Sequence, residues 1–162
     1  MRVWNQRPIE IRNLFNPAFC GLVLFRAVVA FEVEDDRGIP FSLVPLILPI
    51  CLHKQSREIL APNTRSYFLK LVANHPQLLV GFGARCQDMR PFTFEALGLL
   101  HHLGTIQVQL DGRLKANPKG VRKSIIGSDE TQAIQKVAKY LGREFARIGD
   151  RVTIYATMGV RP

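Results

Sequence analysis

Residues 91–116 read PFTFEALGLLHHLGTIQVQLDGRLKA, and a change of period inside this stretch decides the fold. Up to Gly104 the apolar residues fall at helical spacing: Phe92, Phe94, Ala96, Leu97, Leu100 and Leu103 make one broad face. Pro91 predicts a break from the preceding helix and a new start, and Gly104 is the glycine expected just past a helix C-terminus. From Thr105 the period becomes two. Thr105 to Leu110 alternates polar and apolar, as a half-buried strand does. Asp111-Gly112 is a hairpin turn pair, and Arg113-Leu114-Lys115-Ala116 resumes the alternation on a return strand. A helix that feeds a β-hairpin near 105–116 is the shape of a winged helix with its wing.

Upstream, Thr64 is expected to cap a helix running to about Asn74, and Pro76 to open another with Leu78, Leu79, Phe82 and Cys86 inward. The order helix, helix, helix, hairpin therefore supports a winged-helix-like core. Pro40, Pro45 and Pro49 break up the apolar run Ile39–Leu52, leaving a buried connector with a short helix from Ser42. Before it, Asn16 and Pro17 match an N-cap and first helical position. Ala18 to Phe31 is apolar except for Arg26, so this helix should be buried on most sides or lie in an interface. Arg7-Pro8 suggests that residues 1–15 form an extended arm.

Downstream, residues 117–128 read as a loop. Ser128-Asp129-Glu130 then caps a helix over 129–148, whose Ile134, Val137, Ala138, Leu141, Phe145 and Ile148 repeat at three-four spacing before Gly149. Alternation around Val152, Ile154 and Tyr155 predicts a short terminal strand at 152–157. The expected fold is α+β, mostly helical, in a single domain spanning residues 1–162.

With 162 residues and 47% hydrophobic content, such a domain can bury a core without cross-links. Net charge is +9, shared by both halves, so it belongs to the folded body. That charge suits nucleic acid, anionic lipid or an acidic protein without choosing among them. Cys20, Cys51 and Cys86 lie among apolar residues with no CxxC, which fits buried thiols in a reducing compartment. The polar N-terminus is unlike a signal peptide, and Ile39–Leu52 is too short and too broken to span a membrane. A cytoplasmic protein without a membrane segment is expected.

Chemical motifs are sparse. His53, His75, His101 and His102 are scattered or adjacent, and neither arrangement aims two rings at one metal. No P-loop or nucleophile elbow appears, and Gly81-Phe82-Gly83 lacks the third glycine and the preceding strand of a dinucleotide site. The carboxylates fall at turns and caps. The expectation is no catalytic centre, no cofactor and no metal. A thiol enzyme built on Cys20 is disfavoured because apolar surroundings suppress the thiolate. The basic set Arg113, Lys115, Lys119, Arg122 and Lys123 has two readings of equal standing: a phosphate-gripping wing and loop, or a solubilising surface. The 92–103 helix lacks the arginine, asparagine and glutamine that read base edges.

Two stretches carry a family resemblance: RPIEIRNLFNPAFC at 7–20, and PFSL at 40–43 with LPICLHK at 48–54. With Phe145-Ala146, Thr153-Ile154-Tyr155 and Gly159-Val160-Arg161-Pro162, they resemble the small middle components of bacterial three-component ABC systems. The layout is similar to Lamassu-type defence systems. The resemblance implies an adaptor between an ABC or SMC-like ATPase and an effector protein, acting against phage or plasmids, with non-specific DNA contact through the complex. It carries no catalytic residues over. It makes Asn13, Phe15, Asn16, Pro17, Phe19, Leu52 and His53 candidate interface positions. A winged-helix DNA-binding regulator is the competing reading.

Overall fold

The computed structural model describes residues 6–161; residues 1–5 of the expected arm and Pro162 lie outside them. The helices are α1 (Ile9–Leu14), α2 (Pro17–Glu34), α3 (Ile47–Cys51), α4 (Lys54–Leu60), α5 (Phe68–Asn74), α6 (Phe82–His102), α7 (Asp129–Ile148) and α8 (Arg151–Thr157). The strands are β1 (Ile39–Pro40), β2 (Ile106–Val108) and β3 (Arg113–Ala116). The mostly helical α+β expectation therefore holds.

Helix α2 is the axis of the core. Val23, Leu24, Ala27 and Val28 are fully buried, because α6 packs on one side of α2 and α7 on another. Close approach is possible because Gly142 of α7 lies over Ala27: a Cβ there would sit 2.1 Å from the Ala27 carbonyl oxygen. Residues Ile9–Glu34 form a helical stretch long and apolar enough to cross a membrane by composition, but more than half of its most apolar 18-residue window is buried inside this fold. Arg26 is buried too. It donates to Gln135 Oε1 at 3.2 Å and to the carbonyls of Lys123 and Ser124 at 3.2 and 3.1 Å. The one charge in the apolar run from Ala18 to Phe31 thus anchors the loop before α7.

The hairpin forms, pairing Val108 with Leu114 and Ile106 with Ala116, but its first strand is not half-buried as the alternation predicts: Ile106 is buried, whereas Val108 and Leu110 are exposed. It gains a third strand: β1 pairs antiparallel to β3, Ile39 opposite Leu114, giving the order β1-β3-β2. Pro40 is tolerated because β1 lies at an edge.

Five expectations need correction. The segment after Pro8 is not extended. Pro8, with ψ 146°, precedes α1 and starts the helix rather than preventing it. Pro91 does not separate two helices, since α6 runs through it. Pro91 and Gln87, whose carbonyl it leaves without a helical donor, are both exposed, and packing on either side of them outweighs a cost of about 3 kcal/mol. Thr64 does not cap α5, and the helix that begins at Pro76 is only a short 3₁₀ helix, Pro76–Leu79, ahead of α6, which starts at Phe82. The expected strand at 152–157 is instead α8. Asp150 caps it, accepting from Val152 N at 3.2 Å and Thr153 N at 2.9 Å, and the buried residues Ile154, Tyr155 and Met158 follow helical spacing.

Candidate docking groove

The N-terminal segment is pinned to α6 at two points. Arg7 makes a bidentate pair with Glu95, at 2.7 and 2.9 Å, and Phe15 stacks on Phe92 with ring centroids 4.4 Å apart. The chain then turns into α2, where the Asn16 side chain accepts from Ala18 N at 2.9 Å and Pro17 takes the first helical position. This turn sets Phe15 and Phe19 side by side, each half-buried.

The joint between α3 and α4 comes up against the same place. His53 caps α4: its Nδ1 accepts from Ser56 N at 3.4 Å and lies 2.9 Å from Ser56 Oγ. Burial lowers its pKa, and the charges of Arg85 and Arg57 lower it further, so the ring favours the neutral, capping form. Arg57 is buried. It donates to the Cys51 carbonyl at 3.2 Å and the Leu52 carbonyl at 2.7 Å, and reaches Glu130 at the start of α7.

Between these elements lies an open groove of about 380 Å³. Asn13, Phe15, Phe19 and Leu52 line one part of it. Arg57 and the first turns of α7, Ser128 to Ile134, line the rest. Four of the seven sequence-derived interface candidates therefore meet, from stretches far apart in the chain. Asn16 and Pro17 shape the turn beside the groove, and His53 is committed to its cap. The contribution of α7 is not legible in the sequence: Ser128 and Glu130 look only like cap residues there, and nothing local brings them to Leu52.

The five basic candidates separate. Arg113 is consumed by the fold, donating to the Gly38 carbonyl at 2.6 Å and pairing with Asp35 at 3.6 Å and Asp111 at 3.5 Å. Lys115 is half-buried beside Glu32. Lys119, Arg122 and Lys123 are exposed and make no ion pair among the described residues.

Ionisable groups also meet in a polar cleft of about 300 Å³ near the hairpin and α8, where Asp35, Arg37, Arg113, Asp150 and Arg151 converge. Its carboxylates are already bound. Arg37 hydrogen-bonds Asp35 at 2.9 and 2.8 Å and holds its pKa at about 2; Thr153 and the α8 amides hold Asp150 low. Fixed, ionised carboxylates are poorly matched to general acid or base work near neutral pH. Among the described residues no group of three or more His, Cys, Asp or Glu is placed to hold a metal.

The thiols are equally muted. Burial, reinforced by the charge of Glu95, pushes Cys20 up to about 12; burial pushes Cys86 up to about 11 and raises Cys51 as well. Native protein at pH 7.5 should react with a thiol reagent about 100-fold more slowly than free cysteine, with all three thiols released on denaturation. One rapidly labelled cysteine would revive the thiol-enzyme reading.

This fold and groove define a small helical body whose accessible features suit docking. The chain belongs to the ABC-three component (ABC-3C) system Middle Component 3 family, whose profile matches residues 4–162. Membership makes it a component that works with other members of an ABC system. No curated protein and no solved structure gives a match.

Proposed function

We propose that the protein is a non-catalytic cytoplasmic adaptor that holds an ABC or SMC-like ATPase and passes its state to an effector, in a bacterial system directed against phage or plasmids. One observation carries the reading: Asn13, Phe15, Phe19 and Leu52, drawn from the two family-like stretches, converge on one groove. An open, partly apolar groove rimmed by an ion pair has the make-up of a protein-docking surface. The body that presents it is winged-helix-like. The three helices expected within 64–103 do not carry this reading, because α6 runs through Pro91; it takes α2 as the first helix, β1 as the short first strand, α6 as the helix before the wing, and β2–β3 as the wing.

The test is co-purification with the ATPase and effector components of the same system. Asn13→Trp fills the groove from an exposed position, and Leu52→Ala removes part of its wall. Both should weaken partner binding by about tenfold or more, and Asn13→Trp should leave the melting temperature unchanged. Wild-type protein that binds neither component would end the adaptor reading. Undiminished binding by both variants would end the assignment of the groove.

Exposed Lys119, Arg122 and Lys123 favour an auxiliary contact with nucleic-acid phosphates. Replacing all three with alanine should reduce the salt dependence of duplex binding by about 2–3 units of log–log slope. An unchanged slope leaves the loop a solvated surface.

A further inference from the structure

A second groove lies where α8 meets the C-terminal residues. Its volume is about 490 Å³, and Ser42, Arg151, Val152, Tyr155, Val160 and Arg161 line it. The wall is largely apolar, and Val152 is 74% exposed although it is a large aliphatic residue. Arg151 and Arg161 are exposed, and neither forms an ion pair among the described residues, although Arg151 also borders the polar cleft and feels the charge of Asp150. Among the described residues no carboxylate lines the groove. Ser42 supplies one more unmet group. Its Oγ is shut off from solvent without a hydrogen-bond partner among the described residues, while its carbonyl is occupied by the Tyr155 hydroxyl at 2.5 Å.

We propose that this groove receives a short apolar segment flanked by aspartate or glutamate from a partner protein. Charge complementarity selects the occupant. A neutral apolar segment would strip water from the two guanidiniums and return nothing, which is costly for a charge. Flanking carboxylates pair with them, and guanidinium–carboxylate geometry allows two hydrogen bonds per pair. A second copy of this chain, with net charge +9, brings like charge to like. A lipid surface is a poorer fit, because lipid-reading patches gather about four to eight basic residues and this groove has two. The inference does not rest on the groove around Leu52, with which this one shares no residue.

The test is selection from a random displayed peptide library on the whole purified chain. Enriched peptides should place Asp or Glu beside Leu, Ile or Phe. A labelled synthetic copy of one should lose about tenfold or more in affinity against Arg151→Ala/Arg161→Ala and against Val152→Asp, and should bind Leu52→Ala unchanged. All three positions are exposed, and unchanged melting temperatures would confirm that the variants fold. Enriched peptides without acids, binding indifferent to the arginine pair, or no enrichment would each overturn the proposal. So would peptide-independent binding to phosphatidylglycerol vesicles that is lost in the same variants, which would assign the groove to a lipid surface.

Discussion

Gly142→Ala is expected to destabilise the protein by about 3 kcal/mol or more, lowering the melting temperature by roughly 10 °C. An added methyl group would lie 2.1 Å from the Ala27 carbonyl oxygen, and the obstruction is backbone, so no rotamer change relieves it. Helices α2 and α7 would have to part by about 1 Å, along a seam where Val23, Leu24, Ala27, Val137, Ala138 and Leu141 are all fully buried. Cores packed as densely as crystals do not absorb such a shift locally. Alanine also gains about 1 kcal/mol of helix propensity over glycine, and this works against the clash. Gly98→Ala separates the two effects. Gly98 is exposed within α6, and a methyl group added there would meet no atom within 4 Å, so only the propensity gain applies. The melting temperature should rise by about 2–4 °C in Gly98→Ala and fall in Gly142→Ala. Shifts of the same sign in thermal melts would contradict the close seam.

The same seam marks where sequence reading succeeds. Helix α7 was legible from end to end. Ser128 accepts from Thr131 N at 3.3 Å, the apolar stripe keeps three-four spacing, and Gly149 closes the helix at φ 71°. The start of α2 and the hairpin were legible for the same reason, since local side chains cap or turn the backbone next to them. Most failures have the opposite cause; α8 is the exception, since its cap Asp150 is local and the strand-like composition after it masks that signal. Arg151 to Met158 is rich in β-branched and aromatic residues, a strand-like composition, but Asp150 and burial at Ile154, Tyr155 and Met158 decide for helix. At Pro91 tertiary packing overrode a local rule. The N-terminal cap of α5 comes from Glu144, 76 residues away, which no local window contains. The docking groove was half legible: the family-like strings supplied Asn13, Phe15, Phe19 and Leu52, whereas Arg57 and the α7 residues enter only through the fold.

Phe68→Ala should be the costliest side-chain truncation, at about 3–5 kcal/mol. Phe68 is 1% exposed and stands edge-on to Phe145, with centroids 5.6 Å apart, and to Tyr140, at 6.3 Å. Around it α7 grips the preceding turn. Tyr140 Oη donates to the Ser66 carbonyl at 2.9 Å, Arg143 donates to the Thr64 carbonyl at 2.5 Å, and Glu144 Oε2 accepts from Phe68 N at 3.0 Å. Glu144→Ala leaves that buried N–H without its acceptor, at a cost of about 1–3 kcal/mol. Because ring and amide belong to one residue, the double variant should depart from additivity by about 0.5 kcal/mol or more in urea titrations. Hydrogen exchange should report the loss first in the α5 amides, which depend on this grip for their start. The grip lies toward the C-terminal part of α7, whereas the Leu52 groove uses its first turns, Ser128 to Ile134. Below its melting temperature, Phe68→Ala should therefore keep partner affinity within about twofold, by the usual independence of distant sites. A loss of binding in step with Asn13→Trp would mean that groove and core are coupled along α7. A destabilisation below about 1 kcal/mol would mean that α5 is held by something other than this ring.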